Sequence, residues 1–266
     1  ESSIKFGLIY VGSDDGLVHV SKDGGYSWTN ISSSLPENMW VSSIYPSNFY
    51  EGRVYLSLNG YRWDNFESMI YVSDDFGLNW SRIGNDLPQE PVNVIIEDTK
   101  NENLLYVGTD HGVYASLDIG NNFHSFMGGL PGTPVHDLVI HPRDNDLVVG
   151  THGRSVYIGD IEFLQKIDQD ILSKSIYVFE IDDIKFSSRW GSKNWYGDLI
   201  EPSASFVIFS SKDEEIDMEI INEDGILIDK KLKISYGLNY INNNLLTDRK
   251  KKYLSKGNYI LKVSNL

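Results

Sequence analysis

Cysteine is absent from this 266-residue chain, so no disulfide and no thiolate metal site can form. That absence alone does not assign a compartment, because many secreted bacterial proteins also lack cysteine. No apolar run approaches the roughly 18 residues of a membrane-spanning helix. Basic residues are scarce: 23 Lys and Arg stand against 38 Asp and Glu, a net charge of −15. This balance argues against nucleic acid and anionic membrane surfaces as partners. The deficit is uneven. Residues 1–163 hold 8 basic and 22 acidic side chains, a net of −14, whereas residues 164–266 hold 15 and 16. All six histidines (His19, His111, His124, His136, His141 and His152) also fall in the first part. Two domains of different character are expected. No signal peptide is visible, and the chain opens Glu1-Ser2-Ser3 without Met, so further sequence upstream is expected.

What the chain does have is repetition. Three segments share the frame Ser-x-Asp-x-Gly-x-x-aromatic: Ser21, Asp23, Gly25, Trp28; Ser73, Asp75, Gly77, Trp80; and Ser116, Asp118, Gly120, Phe123. Each follows a strand-like run such as Met69-Ile70-Tyr71-Val72. Asp accepts backbone N–H bonds, Gly tolerates positive φ, and the aromatic opens the next strand, so each copy predicts a hairpin turn with a structural Asp. A second motif, Val-Gly followed by polar residues, recurs at Val11-Gly12, Val107-Gly108 and Val149-Gly150. Leu-Pro pairs at 35–36, 87–88 and 130–131 predict crossovers between repeats. Ser73 and Ser116 lie 43 residues apart, the length of a four-stranded propeller blade. The longer spacing from Ser21 to Ser73 predicts an insertion, placed at the aromatic stretch Asn59 to Phe66.

About four blades are expected, near 7–30, 40–83, 92–126 and 135–161, the first without a clear inner strand. Closed propellers need about four to eight blades, so this reads as the C-terminal part of a larger one, its remaining blades supplied by upstream sequence or another chain. Residues 162–174 have helical spacing and predict one linking helix. Residues 175–266 read as several short strands with the turn Asn222-Glu223-Asp224-Gly225, hence a small β-sandwich. The fold expected is therefore all-β, with a partial propeller over 1–161, a linker over 162–174 and an immunoglobulin-like sandwich over 175–266. The cluster Arg249-Lys250-Lys251-Lys252 is read as a solvated hairpin or loop.

These motifs resemble the sortilin-like Asp-box (BNR-repeat) propeller proteins of Bacteroidetes-type bacteria, often labelled glycosyl hydrolase. The resemblance rests on Pro134 to Asp146 running into Val149-Gly150-Thr151-His152-Gly153-Arg154 and Ile158 to Ile161, with support from Val92 to Ile95 and Asn101 to Thr109. It covers 1–161 well and 175–266 loosely, through Leu254-x-x-Gly257-x-Tyr259. Members are far longer than this chain, which implies a fragment. The resemblance implies a secreted, periplasmic or outer-surface protein of a Gram-negative bacterium. The hydrolase label derives largely from a turn that sialidases share, so function has to come from a site.

No catalytic set stands out. The arginines of the first part (53, 62, 82, 143 and 154) form no evident triad, and no spacing selects a carboxylate pair. Candidate ligand-binding residues follow the Val-Gly strands: Asp14 and Asp15, Asp110 and His111, His152 and Arg154, where blade ends converge on one side. A polar ligand or a metal is weighed against plain turn roles, and no metal site or cofactor is assigned. The second candidate is the aromatic loop Tyr61, Arg62, Trp63, suited to sugar rings or a protein hot spot. Arg189 to Gly197 is read as a docking stretch. Two functions remain: a non-catalytic binding propeller for protein, peptide or glycan, or a glycosidase whose site is completed by further blades.

Overall fold

The computed structural model describes residues 1–126, 128–248 and 251–265. Arg249 and Lys250, half of the basic cluster, lie outside the described residues. The chain divides into two compact units, Glu1–Lys166 and Ile167–Leu266.

The first unit is a succession of four antiparallel sheets. The first holds β1 (Ile9–Gly12), β2 (Val18–Ser21) and β3 (Thr29–Asn30). The second holds β4 (Trp40–Pro46), β5 (Val54–Asn59), β6 (Met69–Ser73) and β7 (Ser81–Ile83). The third holds β8 (Val92–Glu97), β9 (Leu105–Thr109), β10 (Val113–Ser116) and β11 (His124–Ser125). The fourth holds β12 (Val135–His141), β13 (Asp146–Thr151) and β14 (Val156–Asp160). Strands neighbour one another in chain order within every sheet, the meander of a propeller blade. By register, among the described residues the first sheet has no innermost strand and the fourth no outermost.

Blades stack in sequence: β1 on β4, β4 and β5 on β8, β8 and β9 on β12. The first two interfaces each have an apolar core. Leu8, Tyr10 and Val20 meet Val41, Leu56 and Leu58 between the first two blades. Tyr55 and Ile70 meet Val92, Ile95 and Val107 between the next two. The recurring Val-Gly has a packing cause. A Cβ on Gly12 would lie 2.3 Å from Val41 Cγ1, and one on Gly108 would lie 2.7 Å from Val135 Cγ1. The glycine lets the next blade's inner strand approach, which a side chain would block.

The three Ser-x-Asp turns share one geometry. Ser21 Oγ donates to Asp23 at 2.8 Å, and the amide of Gly25 donates to Ser21 Oγ at 2.8 Å. Asp23 also accepts from the Ser27 amide at 2.9 Å and from Ser27 Oγ at 2.6 Å. Ser73, Asp75, Gly77 and Asn79 repeat this set, as do Ser116, Asp118, Gly120 and Asn122. Hydrogen bonds to the ionised form, first from Ser27 and from Asn79, lower Asp23 and Asp75 to about 2. Burial works against the shift at Asp118, but the Asn122 and Ser116 bonds still lower it. Trp80 adds a tie between blades, its indole donating to the Ile31 carbonyl at 2.9 Å.

One carboxylate is sealed between the second and third blades. Glu97 is fully buried and accepts from Asn48 N (2.6 Å), Ser47 Oγ (2.8 and 3.0 Å) and Tyr55 OH (3.1 Å). Burial raises its pKa despite those donors.

Where one linking helix was expected there are two single turns, α1 (Glu162–Gln165) and α2 (Gln169–Leu172). The apolar spacing that suggested continuity is satisfied by burying Leu164 in the first turn and Ile171 in the second. Asp168 caps the second turn, accepting from the Ile171 amide, and so restarts the helix.

The second unit has two three-stranded antiparallel sheets. One holds β15 (Ile176–Val178), β16 (Ala204–Ser210) and β19 (Gly237–Asn243). The other holds β17 (Glu214–Asn222), β18 (Gly225–Ile234) and β20 (Ile260–Asn265). Asn222 pairs with Gly225 across the expected tight turn. Ala204 and Phe206 of one sheet and Met218, Ile220 and Ile228 of the other share a core, so the unit is a small sandwich. The chain is all-β throughout, with propeller blades in its first unit. Among the described residues no helix is long and apolar enough to cross a membrane.

Candidate functional site

The polar residues at or just past the ends of β1, β5, β9 and β13 occupy equivalent places at one end of the four blades: Asp14, Asn59, Asp110 and His152. A second polar position is the residue at the register shift near the start of each inner strand: Ser42, Asn93 and His136. These two rows make a hydrogen-bonded ladder across the second and third blades. Asn59 Nδ2 donates to Asn93 Oδ1 at 2.9 Å, and Asn93 Nδ2 donates to Asp110 Oδ1 at 2.9 Å. Both asparagines are buried. In the fourth blade the equivalent residues, His136 and His152, pack edge to face at 5.4 Å.

The aromatic insertion sits on this ladder. Residues Tyr61–Trp63 form a single 3₁₀ turn. The Tyr61 amide donates to Asn59 Oδ1 at 2.9 Å, which ties the loop to the ladder. Tyr61 packs on Phe66 at 5.9 Å, and both are exposed, as is Trp63. Arg62 turns to the first blade, 3.9 Å from Asp14, with its guanidinium 5.4 Å from the Trp40 ring centre. The two sequence candidates, the post-strand polar residues and the loop, therefore meet at the same end of the first three blades.

Not every candidate joins. Asp15 bonds Ser13 Oγ and the Leu17 amide, which lowers its pKa and makes it a turn residue. His111 faces Glu90 at 3.5 Å, and Glu90 also accepts from Thr109 Oγ1 at 2.7 Å. Arg154 is exposed, with no ion pair among the described residues. The arginines pair separately: Arg53 with Asp74, Arg62 with Asp14, Arg82 with Glu67 and Arg143 with Asp144. No arginine cluster for a carboxylate ligand forms among them. Among the described residues no three of His, Asp and Glu gather as ion ligands. The carboxyl whose pKa burial raises, Glu97, is enclosed between blades rather than presented to a ligand.

Asn59, Asn93, His136 and Trp40 were not singled out from the sequence. Their signal was a polar residue interrupting an apolar strand after Pro-Val, in Pro91-Val92-Asn93 and Pro134-Val135-His136.

No model of a known protein family matches the chain, and no curated protein matches it. Solved structures do resemble it. A GH74 xyloglucanase from Xanthomonas campestris matches with TM-score 0.46 and 18% identity over 58% of this chain and 25% of that one. YCF48 bound to D1 peptide matches with TM-score 0.40 and 12% identity over 90% of this chain and 66% of that one. The GH74 enzyme of Niastella koreensis matches with TM-score 0.46 and 13% identity over 95% and 37%. The chain spans only 25% to 66% of the lengths of these proteins.

Proposed function

We propose that this chain is a binding module, non-catalytic in this segment, which recognises a protein, peptide or glycan at the ladder end of its blades. The observation that carries this reading is the exposed Tyr61–Phe66 loop fastened to the Asn59–Asn93–Asp110 chain, whose two asparagines are buried. Rigidly held aromatics beside an arginine suit a stacking or hot-spot contact. The reading includes a sortilin-like Asp-box protein of the secreted, periplasmic or outer-surface space of a Gram-negative bacterium, with an immunoglobulin-like second unit.

It also includes a further propeller blade, from upstream sequence or another chain, on the fourth sheet. Val139 pairs with Val148 and Val148 with Ile158, so the three form an apolar line on one face. Ile96 and Ala115 hold the places of Val139 and Ile158 in the third blade and are buried, whereas Val139 and Ile158 are 54% and 68% exposed. Gly150 repeats the contact glycine, yet a Cβ there would meet only Asp137 of its own sheet, at 3.5 Å.

The test is a panel of immobilised glycans and peptides probed with the chain and with Tyr61→Ala/Trp63→Ala. A ligand whose affinity falls about tenfold or more in the variant, with unchanged thermal unfolding, is expected. Binding indifferent to the loop would refute the reading. Release of reducing sugar from a glycan in that panel would replace it with the alternative, a glycoside hydrolase completed by other blades.

A further inference from the structure

The second unit contains a cleft of about 600 Å³ with a different character from the blade ends. Phe206, Ile220, Leu245 and Leu254 form its apolar floor, and all four are buried. Phe186 and Trp190 stand at its rim, edge to face with centroids 5.1 Å apart. Its charged lining is Asp182 and Asp183 against Lys256, an acidic excess. A volume in the range of ligand sites, with an apolar floor and a polar rim, suits a binding pocket.

The backbone around the cleft supplies a second, independent feature. Along Asp182–Phe186, no amide or carbonyl has a hydrogen-bond partner among the described residues. Along Ser255–Asn258 the Ser255 carbonyl alone is engaged, accepting from Tyr259 OH at 2.8 Å. No residue from Asp182 to Phe186 has positive φ, so their backbone is compatible with strand pairing. Unpaired edges of this kind accept an added strand.

We propose that this cleft binds a peptide in extended conformation, one apolar side chain on the floor and a neighbouring Lys or Arg against Asp182 and Asp183. A small apolar molecule would fill the floor but leave the free backbone groups and the acidic rim without partners. An extended basic-apolar peptide satisfies all three features at once. The site shares no residue with the blade-end surface and stands without it.

The probe is a fluorescein-labelled peptide of alternating Lys with Phe and Val, followed by anisotropy against the full chain. Three control peptides accompany it: Glu in place of Lys, Ser in place of Phe and Val, and N-methylation at alternate residues, which removes donors along one edge. Phe186→Ala/Trp190→Ala changes only rim residues, and its unfolding temperature reports that the sandwich is intact. The expected result is saturable binding that weakens about tenfold in this variant. Asp182→Asn/Asp183→Asn should weaken binding by about threefold or more, with reduced salt dependence. Each control peptide should bind more weakly than the parent. Hydrogen exchange should slow at Asp182–Phe186 on peptide addition. No saturation by about 1 mM would overturn the proposal. So would equal binding of the N-methylated peptide, or loss of binding in Tyr61→Ala/Trp63→Ala with retention in the rim variant.

Discussion

The third and fourth blades follow the same pattern of residues and are buried very differently. Pro91-Val92-Asn93-Val94-Ile95-Ile96 and Pro134-Val135-His136-Asp137-Leu138-Val139 fill equivalent inner strands. In β8 every residue is buried, whereas β12 alternates. The difference is a neighbour: the third blade has β12 packed on its far face, and the fourth leaves Val139 and Ile158 exposed among the described residues. A pattern of apolar residues thus states what a face is suited to meet, and only the packing states whether it is met.

The largest expected contrast lies at the contact glycines. Gly108→Val should destabilise by about 3 kcal/mol or more, because its Cβ would sit 2.7 Å from Val94 and Val135. Gly150→Val should change stability by no more than about 0.5 kcal/mol. Urea midpoints of the two variants measure the contrast, and equal losses would break it. Next comes the apolar line: Ile96→Ala should cost about 2–4 kcal/mol. Val139→Ala should cost under about 1 kcal/mol, since Val139 is half exposed.

A similar contrast exists among the Ser-x-Asp turns. Gly77 and Gly25 both have positive φ, +87° and +96°. A Cβ at Gly77 would meet Ile31 Cδ1 at 2.3 Å, whereas one at Gly25 would find only Trp28 at 3.8 Å. Both substitutions to Ala carry the backbone penalty of about 1 kcal/mol, and Gly77→Ala adds the clash with the preceding blade. Thermal unfolding of both single variants should rank Gly77→Ala as the less stable.

The smallest effect is on pH. Asp23 and Asp75 titrate near 2 when folded, below the ordinary value of about 3.9. Their contribution is therefore complete above about pH 4 and lost as pH falls through about 2. Glu97 has the opposite sign. Its raised folded pKa makes ionisation unfavourable to folding as pH rises past the ordinary glutamate value of about 4.3. Denaturant midpoints from pH 2 to 7 should show Asp23→Asn/Asp75→Asn flattening the acid limb. Glu97→Gln should gain on the parent chain as pH rises.

The turns and the blade period were legible because both are local. Ser, Asp and Gly at fixed spacing close hydrogen bonds within seven residues, so the letters carry the geometry. The ladder was only half legible. Asp110 was flagged by its place after Val-Gly, but its partner Asn93 comes from another strand and Asn59 from another blade. Asp15 and Asp14 are neighbours in sequence with different fates, one closing a turn on Ser13 and the other facing Arg62. The cleft of the second unit was legible only in pieces: Trp190 and Leu254 to Tyr259 fall in noted stretches, but its floor is assembled from strands and loops far apart in the chain.

By itself, the amino-acid sequence determined the all-β class, the repeated turns, the recurring Val-Gly pairs and the acidic first part, since each depends on residue type and short spacing. Tertiary structure alone decided which apolar faces are covered, which acids acquire partners, and that the aromatic loop rests on the Asn59–Asn93–Asp110 chain. Those outcomes depend on contacts between blades, where side chains dozens of residues apart compete for the same space and the same hydrogen bonds.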